Sequence, residues 1–179
     1  KLFGNSSAGS RIDEVHPALR GMISLEIERF DSTALGEIDL LFVALPSGQS
    51  MNVIKEANSQ GIRIIDLGGD FRLSHTAMYS QYYKTNHTAS ELLEEAVYGL
   101  SEWNEEAIGS AKLVANPGCY PTSILLALLP LLKNNLLKDE LISIVSYSGT
   151  TGAGKSVNSN MVFSEVNESV RAYKVGNHQ

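Results

Sequence analysis

The chain has 179 residues, with 14 Lys and Arg against 20 Asp and Glu and a formal net charge of −6. The basic residues are scattered, which argues against a nucleic-acid partner because phosphate binding needs a concentrated positive face. The single cysteine excludes an intramolecular disulfide and a multi-cysteine zinc site and favours the cytoplasm, and no apolar stretch approaches the ~20 residues that span a membrane.

The first predicted unit is a strand, a helix and a strand within residues 38–67. Residues 38–45 are almost continuously apolar, as in a strand that is buried on both faces of a parallel sheet. Residues 49–60 place apolar side chains on one face of a helix, and Gly61 marks its end. Residues 62–67 form the second strand, so the segment predicts a βαβ unit of an α/β fold.

Further along the chain the pattern predicts a polar loop at 74–88, a short helix at 90–96, a strand at 112–115, a helix at 122–133 and a strand at 141–147. The helix at 122–133 is apolar on every side, so we expect it to be buried between layers. Ligands of open parallel sheets bind beyond the carboxyl ends of the strands. We therefore expect residues 46–48, 68–72 and 116–119 to lie along one edge of the sheet.

Cys119 follows the strand at 112–115 and precedes the apolar helix. We expect it at the helix N-terminus, where amide N–H groups without helical partners favour the thiolate over the thiol. Gly118 leaves the backbone bare, so a substrate carbonyl could approach closely. From the residues alone, two interpretations stay open: a nucleophile in a binding loop, or a buried structural cysteine.

A second motif points to a different class of enzyme. Residues 149–156 satisfy G-x-x-x-x-G-K-[ST] after a predicted strand, the pattern of a phosphate-binding P-loop. A P-loop nucleoside triphosphatase is therefore the alternative, although residues 157–161 are mostly polar, whereas a P-loop helix buries an apolar face against its sheet. A catalytically inert fragment with a buried thiol is a third interpretation.

Six blocks of the sequence resemble N-acetyl-gamma-glutamyl-phosphate reductases, in the order in which that family has them. The blocks lie at residues 14–21, 66–73, 116–122, 148–155, 163–168 and 172–178. The resemblance implies a Rossmann-like parallel sheet, incomplete at its N-terminus, in an NADP-binding domain at residues 1–118. It implies that residues 119–179 begin an α+β catalytic and dimerisation domain, so we expect the chain to be an internal piece of a longer protein.

The resemblance implies a cytoplasmic, NADPH-dependent enzyme of arginine biosynthesis that reduces N-acetyl-gamma-glutamyl phosphate to N-acetyl-L-glutamate 5-semialdehyde. Cys119 takes the position of the family's nucleophile, which forms a thioester, and His178 that of its acid–base histidine. The implied partners are a small acyl-phosphate substrate and further copies of the chain in a dimer or tetramer, with no metal and no membrane. The family's glycine-rich turn and a second histidine fall outside the printed residues, so we expect no turnover by these 179 residues alone.

The resemblance also implies binding residues. On the cofactor side these are Ser6, Ser7 and Gly9 near the adenosine 2′-phosphate, and Pro46, Ser47 and Gly48 near the nicotinamide. On the substrate side they are Asn116, Gly149, Lys155 and Arg72, whose planar guanidinium suits a carboxylate or phosphate. A surface salt bridge for Arg72 and a turn-forming role for Asn116 before Pro117 are the alternatives.

Overall fold

The computed structural model describes residues 1–137, 141–153, 161–173 and 175. The chain divides into two units, Lys1–Pro117 and Gly118–Gln179. The strands are β1 Phe3–Gly4, β2 Glu28–Arg29, β3 Leu40–Val43, β4 Arg63–Asp66, β5 Ala96–Tyr98 and β6 Leu113–Ala115. The α-helices are α1 Ile12–Val15, α2 Ser50–Ser59, α3 Thr76–Tyr83, α4 Ser101–Ser110, α5 Cys119–Lys133 and α6 Phe163–Val166. Short 3₁₀ helices lie at Pro17–Leu19, Ser32–Glu37, Ser90–Leu92 and Thr150–Ala153.

Four strands of the first unit form a parallel sheet in the order β3-β4-β6-β5. The register pairs Val43 with Asp66 and Asp66 with Ala115, so β3, β4 and β6 end side by side. Backbone bonds continue past the strands, because Leu67 N donates to Val43 O and Asn116 N donates to Asp66 O, each at 2.8 Å. These three strand ends form one edge, as predicted, which we call the carboxyl edge.

Helix α2 covers one face of this sheet. Its Met51, Ile54 and Ala57 are buried, as the periodicity predicts, and full burial of a large apolar side chain contributes about 1.5–3 kcal/mol. Just past the helix, Gly61 has a φ of +76°, in the left-handed region that a C-terminal glycine commonly adopts. Together with the parallel pairing of β3 and β4, this confirms the predicted βαβ unit and the α/β fold class.

Strand β3 is buried on one face only, which corrects the expectation from its apolar sequence. Leu41 and Val43 are buried, whereas Leu40 and Phe42 on the other face are 39 % and 60 % exposed. β3 is also an edge strand of the four-stranded sheet. An apolar strand is buried on both faces only where a layer of structure packs on each face of the sheet. The described residues cover only one face of β3.

Two local predictions between residues 74 and 98 are wrong for a tertiary reason. The segment predicted as a polar loop contains α3, in which Tyr79 is fully buried and stacks on Tyr83 with ring centroids 4.7 Å apart. Of the helix predicted at 90–96, only a 3₁₀ turn at Ser90–Leu92 forms. Residue 96 is instead the first residue of β5, which pairs with β6. In both places, packing against neighbouring elements overrides the local pattern.

The second unit differs more from the sequence prediction. Helix α5 begins at Cys119 and contains no buried residue, and its Leu132 is 49 % exposed. Residues 141–149 form no strand, and Leu141 and Tyr147 are 98 % and 80 % exposed. A strand needs a hydrogen-bonded partner, and the described residues of this unit offer none. Without that sheet, α5 has no second layer against which to bury its apolar surface.

Helix α5 is 15 residues long and contains Pro130. Because proline has no N–H, the helical bond to the Leu126 carbonyl is missing near the end of the helix. Within the described ranges, none of the helices combines the length and apolar character needed to cross a membrane.

We predict that Gly99→Ala destabilises the first unit, whereas Gly109→Ala does not. A Cβ on Gly99 would lie 2.8 Å from Val114 Cγ1 and 3.2 Å from the Ala115 carbonyl oxygen, so β6 would have to shift. Such overpacking costs about 1–3 kcal/mol. Apart from its chain neighbours and the backbone of α4 itself, no described atom lies within 4 Å of a Cβ on Gly109, and alanine is favoured there over glycine by up to about 1 kcal/mol.

Thermal and urea unfolding of the two variants measure this difference, and each variant serves as the control for the other. Equal effects of the two substitutions would contradict the close approach of β5 and β6.

Candidate functional site

The exposed turn after β3 is held from beneath by one buried carboxylate. Gly48 has a φ of +86°, which glycine adopts without steric cost, and its N–H donates to Asp70 Oδ1 and Oδ2 at 2.7 and 3.0 Å. Ser50, the first residue of α2, donates its N–H and its Oγ hydroxyl to Asp70 Oδ2 at 3.2 and 2.6 Å. The Tyr79 hydroxyl donates to Asp70 Oδ1 at 2.8 Å.

Asp70 therefore occupies the N-terminus of α2, where free N–H groups otherwise bind an anionic ligand. Its side chain is fully buried, which is costly for a carboxylate unless donors surround it, as they do here. Burial and then the bond to Asp70 raise the pKa of Tyr79, so its hydroxyl remains a donor. Because Asp70 fills this position, a phosphate at the carboxyl edge has to be held by other groups.

A second buried carboxyl group, Asp66, ends β4. Its Oδ1 accepts a bond from Gly68 N at 2.9 Å, and its buried Oδ2 has no hydrogen-bond partner among the described residues. Burial and the charge of Asp70 raise the pKa of Asp66 to about 6, although the Gly68 bond and the charge of Arg72 act in the opposite direction. The carboxyl edge thus contains a group that titrates not far from neutral pH.

Arg72 lies on the same edge, and backbone carbonyls hold its guanidinium. Its Nε donates to Asn116 O at 2.7 Å and its Nη2 donates to Leu67 O at 3.0 Å. The alternative of a surface salt bridge finds no support, since none of the ion pairs in the described part of the chain includes Arg72. Neutral carbonyls position the cation without neutralising it, so its charge is available to an anionic ligand.

Asn116 contributes to the edge through its backbone. Its carbonyl accepts the bond from Arg72, and its side-chain Nδ2 donates to Pro117 O at 3.2 Å. The Asn116 side chain therefore takes part in the turn before α5. This is the turn-forming role given above as the alternative to substrate binding. The structure brings the turn at 46–48, Arg72 and Asn116 to one edge.

The turn after β1 is a separate surface feature. Ser6 and Gly9 are exposed, Ser7 is partly buried, and Gly9 has a φ of +86° with its N–H donating to Ile27 O at 2.8 Å. β1 pairs in parallel with β2, in a two-stranded sheet distinct from the central one. These residues thus follow the carboxyl end of a parallel strand, as the turn after β3 does.

In the second unit, Cys119 is exposed and is the first residue of α5, with Gly118 as the N-cap. This position agrees with the expectation at the helix N-terminus and removes the interpretation as a buried structural cysteine. The thiol borders an open cavity of about 430 Å³, whose other lining residues are Tyr120, Ser123, Val145, Ser146, Tyr147 and Ser148. A small substrate could therefore reach the sulfur from solvent.

A pair of tyrosines accompanies the thiol within the second unit. The hydroxyls of Tyr120 and Tyr173 are 2.6 Å apart and share a hydrogen bond. That bond, partial burial and the charges of Tyr120 and Cys119 raise the pKa of Tyr173 to about 12. The Tyr173 hydroxyl therefore keeps its proton at neutral pH, and it shares that hydrogen bond close to the thiol.

Two predicted site residues, His178 and Lys155, lie outside the described residues. Gly149 is exposed, and the segment before it forms no strand, so the P-loop pattern lacks the strand that should precede it. In the described ranges, no three His, Cys, Asp or Glu side chains group together as metal ligands.

The two buried carboxyl groups are not among the predicted site residues, although the sequence carries a signal for them. The run Asp66 to Arg72 places two acidic residues and an arginine directly after a buried strand, where side chains meet ligands at a carboxyl edge. Nothing in the sequence pairs Tyr79 with Asp70, because that contact depends on how α3 packs.

A parallel α/β sheet with exposed turns along its carboxyl edge is the architecture of a dinucleotide-binding domain. Residues 1–111 match the family model described as "Semialdehyde dehydrogenase, NAD binding domain". Residues 119–179 match the model described as "Semialdehyde dehydrogenase, dimerisation domain". The chain belongs to the semialdehyde dehydrogenase family.

Curated relatives of this chain carry the name N-acetyl-gamma-glutamyl-phosphate reductase. Those of Pelotomaculum thermopropionicum, Desulforudis audaxviator and Brevibacillus brevis are 49 %, 45 % and 41 % identical to it over 179 residues. Each alignment covers 99 % of this chain and 52 % of the relative. The chain therefore spans about half the length of the curated relatives it matches, and the resemblance seen in the sequence is confirmed.

We predict a pH-dependent stability difference between the protein and its Asp66→Asn variant. In the unfolded chain the pKa of Asp66 is near 3.8, and in the folded chain it is about 6, so folding takes up a proton between these values. The free energy of unfolding of the unsubstituted protein should therefore increase relative to that of Asp66→Asn as the pH falls from about 7 to about 4. The size of the gain is on the order of 3 kcal/mol.

Urea unfolding at a series of pH values measures this difference, with Asp39→Asn as the control for removing one exposed carboxylate. A constant offset between Asp66→Asn and the unsubstituted protein across that range would show that Asp66 is not perturbed.

Proposed function

We propose that the protein containing this chain reduces N-acetyl-gamma-glutamyl phosphate to N-acetyl-L-glutamate 5-semialdehyde with NADPH, as a step of arginine biosynthesis in the cytoplasm. The names of relatives that are 41–49 % identical along 99 % of the chain support this reaction. The single observation that carries it is the exposed thiol of Cys119 at the start of α5. A lone thiol is also the usual state of cysteine in a reducing compartment.

The proposed chemistry begins with Cys119. Its thiolate attacks the acyl carbon of the substrate, and the carbon–oxygen bond to phosphate breaks, which leaves a thioester on the sulfur and free phosphate. When bound, the nicotinamide cofactor supplies a hydride. The sulfur then leaves the resulting thiohemiacetal as thiolate, which releases the aldehyde and regenerates Cys119.

An acid–base group has to manage the protons of these steps. We assign this role to His178, because it occupies the histidine position of the motif that the chain shares with the reductases. The phenol pair of Tyr120 and Tyr173 keeps the surroundings of Cys119 polar without adding a carboxylate that would oppose the thiolate.

The first unit fits a dinucleotide by the chemistry of its groups. Hydroxyls are exposed at the turns after β1 and β3, and among the described residues no ion pair includes Arg72. The buried Oδ2 of Asp66 has no hydrogen-bond partner among the described residues, so the carboxyl edge also offers an acceptor. The residues that would hold the cofactor are Ser6, Ser7 and Gly9 at the adenosine 2′-phosphate, and Pro46, Ser47 and Gly48 at the nicotinamide.

Substrate binding is assigned to four positions: Arg72, Asn116, Gly149 and Lys155. For Arg72 the support is geometric, since two backbone carbonyls fix its guanidinium and none of the ion pairs of the described residues includes it. Asn116 belongs to this group through the carbonyl that holds Arg72, whereas Gly149 and Lys155 rest on the motif at 148–155.

The proposed assembly is a homo-oligomer, a dimer or tetramer, of the longer protein. The match of residues 119–179 to a dimerisation domain supports self-association through the second domain, with residues 1–118 as the NADP-binding domain. Because the chain spans about half of its relatives, we assign turnover to the longer protein and none to these residues alone.

We predict that Cys119→Ser in the full-length protein lowers NADPH-dependent reduction by at least ~10³-fold. Serine is too weak a nucleophile to form the acyl intermediate at neutral pH. NADPH binding should persist, because the proposed cofactor residues lie in the first unit. Steady-state kinetics and a fluorescence titration with NADPH measure the two properties, and mass spectrometry of the unsubstituted enzyme detects the acyl adduct.

Ser59→Ala, at the end of α2 remote from the carboxyl edge, is the control and should retain full activity. Retention of more than about a tenth of the activity by Cys119→Ser would rule out the thioester route.

We also predict that Arg72→Lys raises the KM for the acyl phosphate by about tenfold, because lysine cannot present the planar fork of arginine to an anion. The matched control is Arg63→Lys. Arg63 likewise donates to two backbone carbonyls, Ile108 O at 2.6 Å and Gly109 O at 3.1 Å, but at the opposite end of β4. Similar KM values for both variants would remove Arg72 from the substrate site.

A further inference from the structure

We infer that Asp70 is a positioning residue for the dinucleotide: by filling the anion site at the start of α2, it fixes the exposed turn at 46–48 in its binding shape. This inference rests on the proposed function, which places that turn at the nicotinamide. Asp70 itself does not touch the ligand in this assignment, because its side chain is fully buried beneath the turn.

Asp70 connects two loops that are distant in the sequence. It lies in the loop after β4, whereas Gly48 and Ser50 lie after β3, 22 and 20 residues earlier in the chain. Its carboxylate therefore joins two neighbouring loops of the carboxyl edge. Within the turn itself, Gln49 N donates to Pro46 O at 3.0 Å. This local bond stabilises the turn conformation, and the bonds to Asp70 fix the position of the turn relative to the sheet.

The hydrogen bonds at this position require a carboxylate. Three side-chain or backbone donors besides the Ser50 hydroxyl converge on its two oxygens: Gly48 N, Ser50 N and the Tyr79 hydroxyl. An ionised carboxylate offers acceptor positions to all of them, whereas an asparagine side chain has one acceptor oxygen and an NH₂ group that would face other donors. The isosteric change Asp70→Asn therefore breaks the arrangement while keeping its volume.

Packed aromatic side chains support Asp70 from behind. Its backbone carbonyl contacts His87 Nε2 at 2.9 Å, and the following residue, Phe71, is buried. The His87 ring meets Phe71 and Tyr79 edge-on, with centroids 5.1 and 5.0 Å away. The carboxylate is thus mounted on packed aromatic side chains, which is the support that a residue needs to hold an exposed turn in one geometry.

A preformed turn affects binding because a loop that is ordered beforehand does not have to be ordered by the ligand. Loss of Asp70 should therefore appear in the affinity for NADPH. It should appear much less in the rate at saturating NADPH, once the ligand has ordered the turn.

The test compares three variants of the full-length protein with a matched control. For Asp70→Asn we expect the dissociation constant and the KM for NADPH to rise by about tenfold or more, with kcat changed by less than about threefold. Ser50→Ala and Tyr79→Phe each remove one donor and should raise both constants by about two- to fivefold. These milder variants keep the test decisive if Asp70→Asn does not fold.

Leu35→Ala is the matched control, because it opens the core at a fully buried position before the amino end of β3. It should lower the unfolding temperature without changing the dissociation constant for NADPH. Hydrogen exchange adds a readout without ligand: in Ser50→Ala and Tyr79→Phe the amide of Gly48 should exchange faster, while those of β4 should not.

Unchanged NADPH affinity in the Ser50 and Tyr79 variants, or an equal change in Leu35→Ala, would show that Asp70 is only a structural cap. A full-length protein that binds NADPH but reduces no acyl phosphate would overturn the proposed reaction and leave the role of Asp70 intact. A full-length protein that binds no NADPH would overturn both.

Discussion

A buried carboxylate at the start of a helix organises the first unit of this protein. Asp70 accepts bonds from Gly48, Ser50 and Tyr79, and through them it ties the turn after β3, the first turn of α2 and helix α3 to the loop after β4. Because Asp70 accepts these bonds, the N-terminus of α2 is not open to a phosphate. An anionic ligand would therefore bind to cationic and hydroxyl groups elsewhere on the carboxyl edge, above all to Arg72.

The parallel register makes this arrangement possible. Because β3, β4 and β6 end at paired positions, short loops from distant parts of the sequence reach one another with single side chains. Arg72 bonds to the carbonyl of Asn116, 44 residues away. Asp66 is the last residue of β4, the strand between β3 and β6. Burial at this position raises the pKa of Asp66 to about 6. Close packing along this edge therefore produces both the available cation and the perturbed carboxyl group.

The second unit presents its chemistry at the surface. Cys119 opens α5 and borders a cavity with Tyr120 and Ser123, which is the arrangement a nucleophile needs and a core cysteine does not have. The Walker-like pattern at 149–156 has no strand before it in the described residues. The same glycine-rich segment lies within residues 119–179, which match the dimerisation-domain model.

Periodicity, glycine and proline act over a few residues, so local patterns predict the βαβ unit, the positions of the turns after β3 and β6, and the placement of Cys119 at a helix start. The reductase resemblance rested on motifs of the same local kind. Packing, in contrast, makes residues 76–83 helical, leaves one face of β3 exposed and leaves α5 uncovered by the described residues. Burial depends on which elements lie opposite one another. The hydrogen bonds from Tyr79 and Ser50 to Asp70 were decided in the same way, since they join residues that local patterns cannot relate.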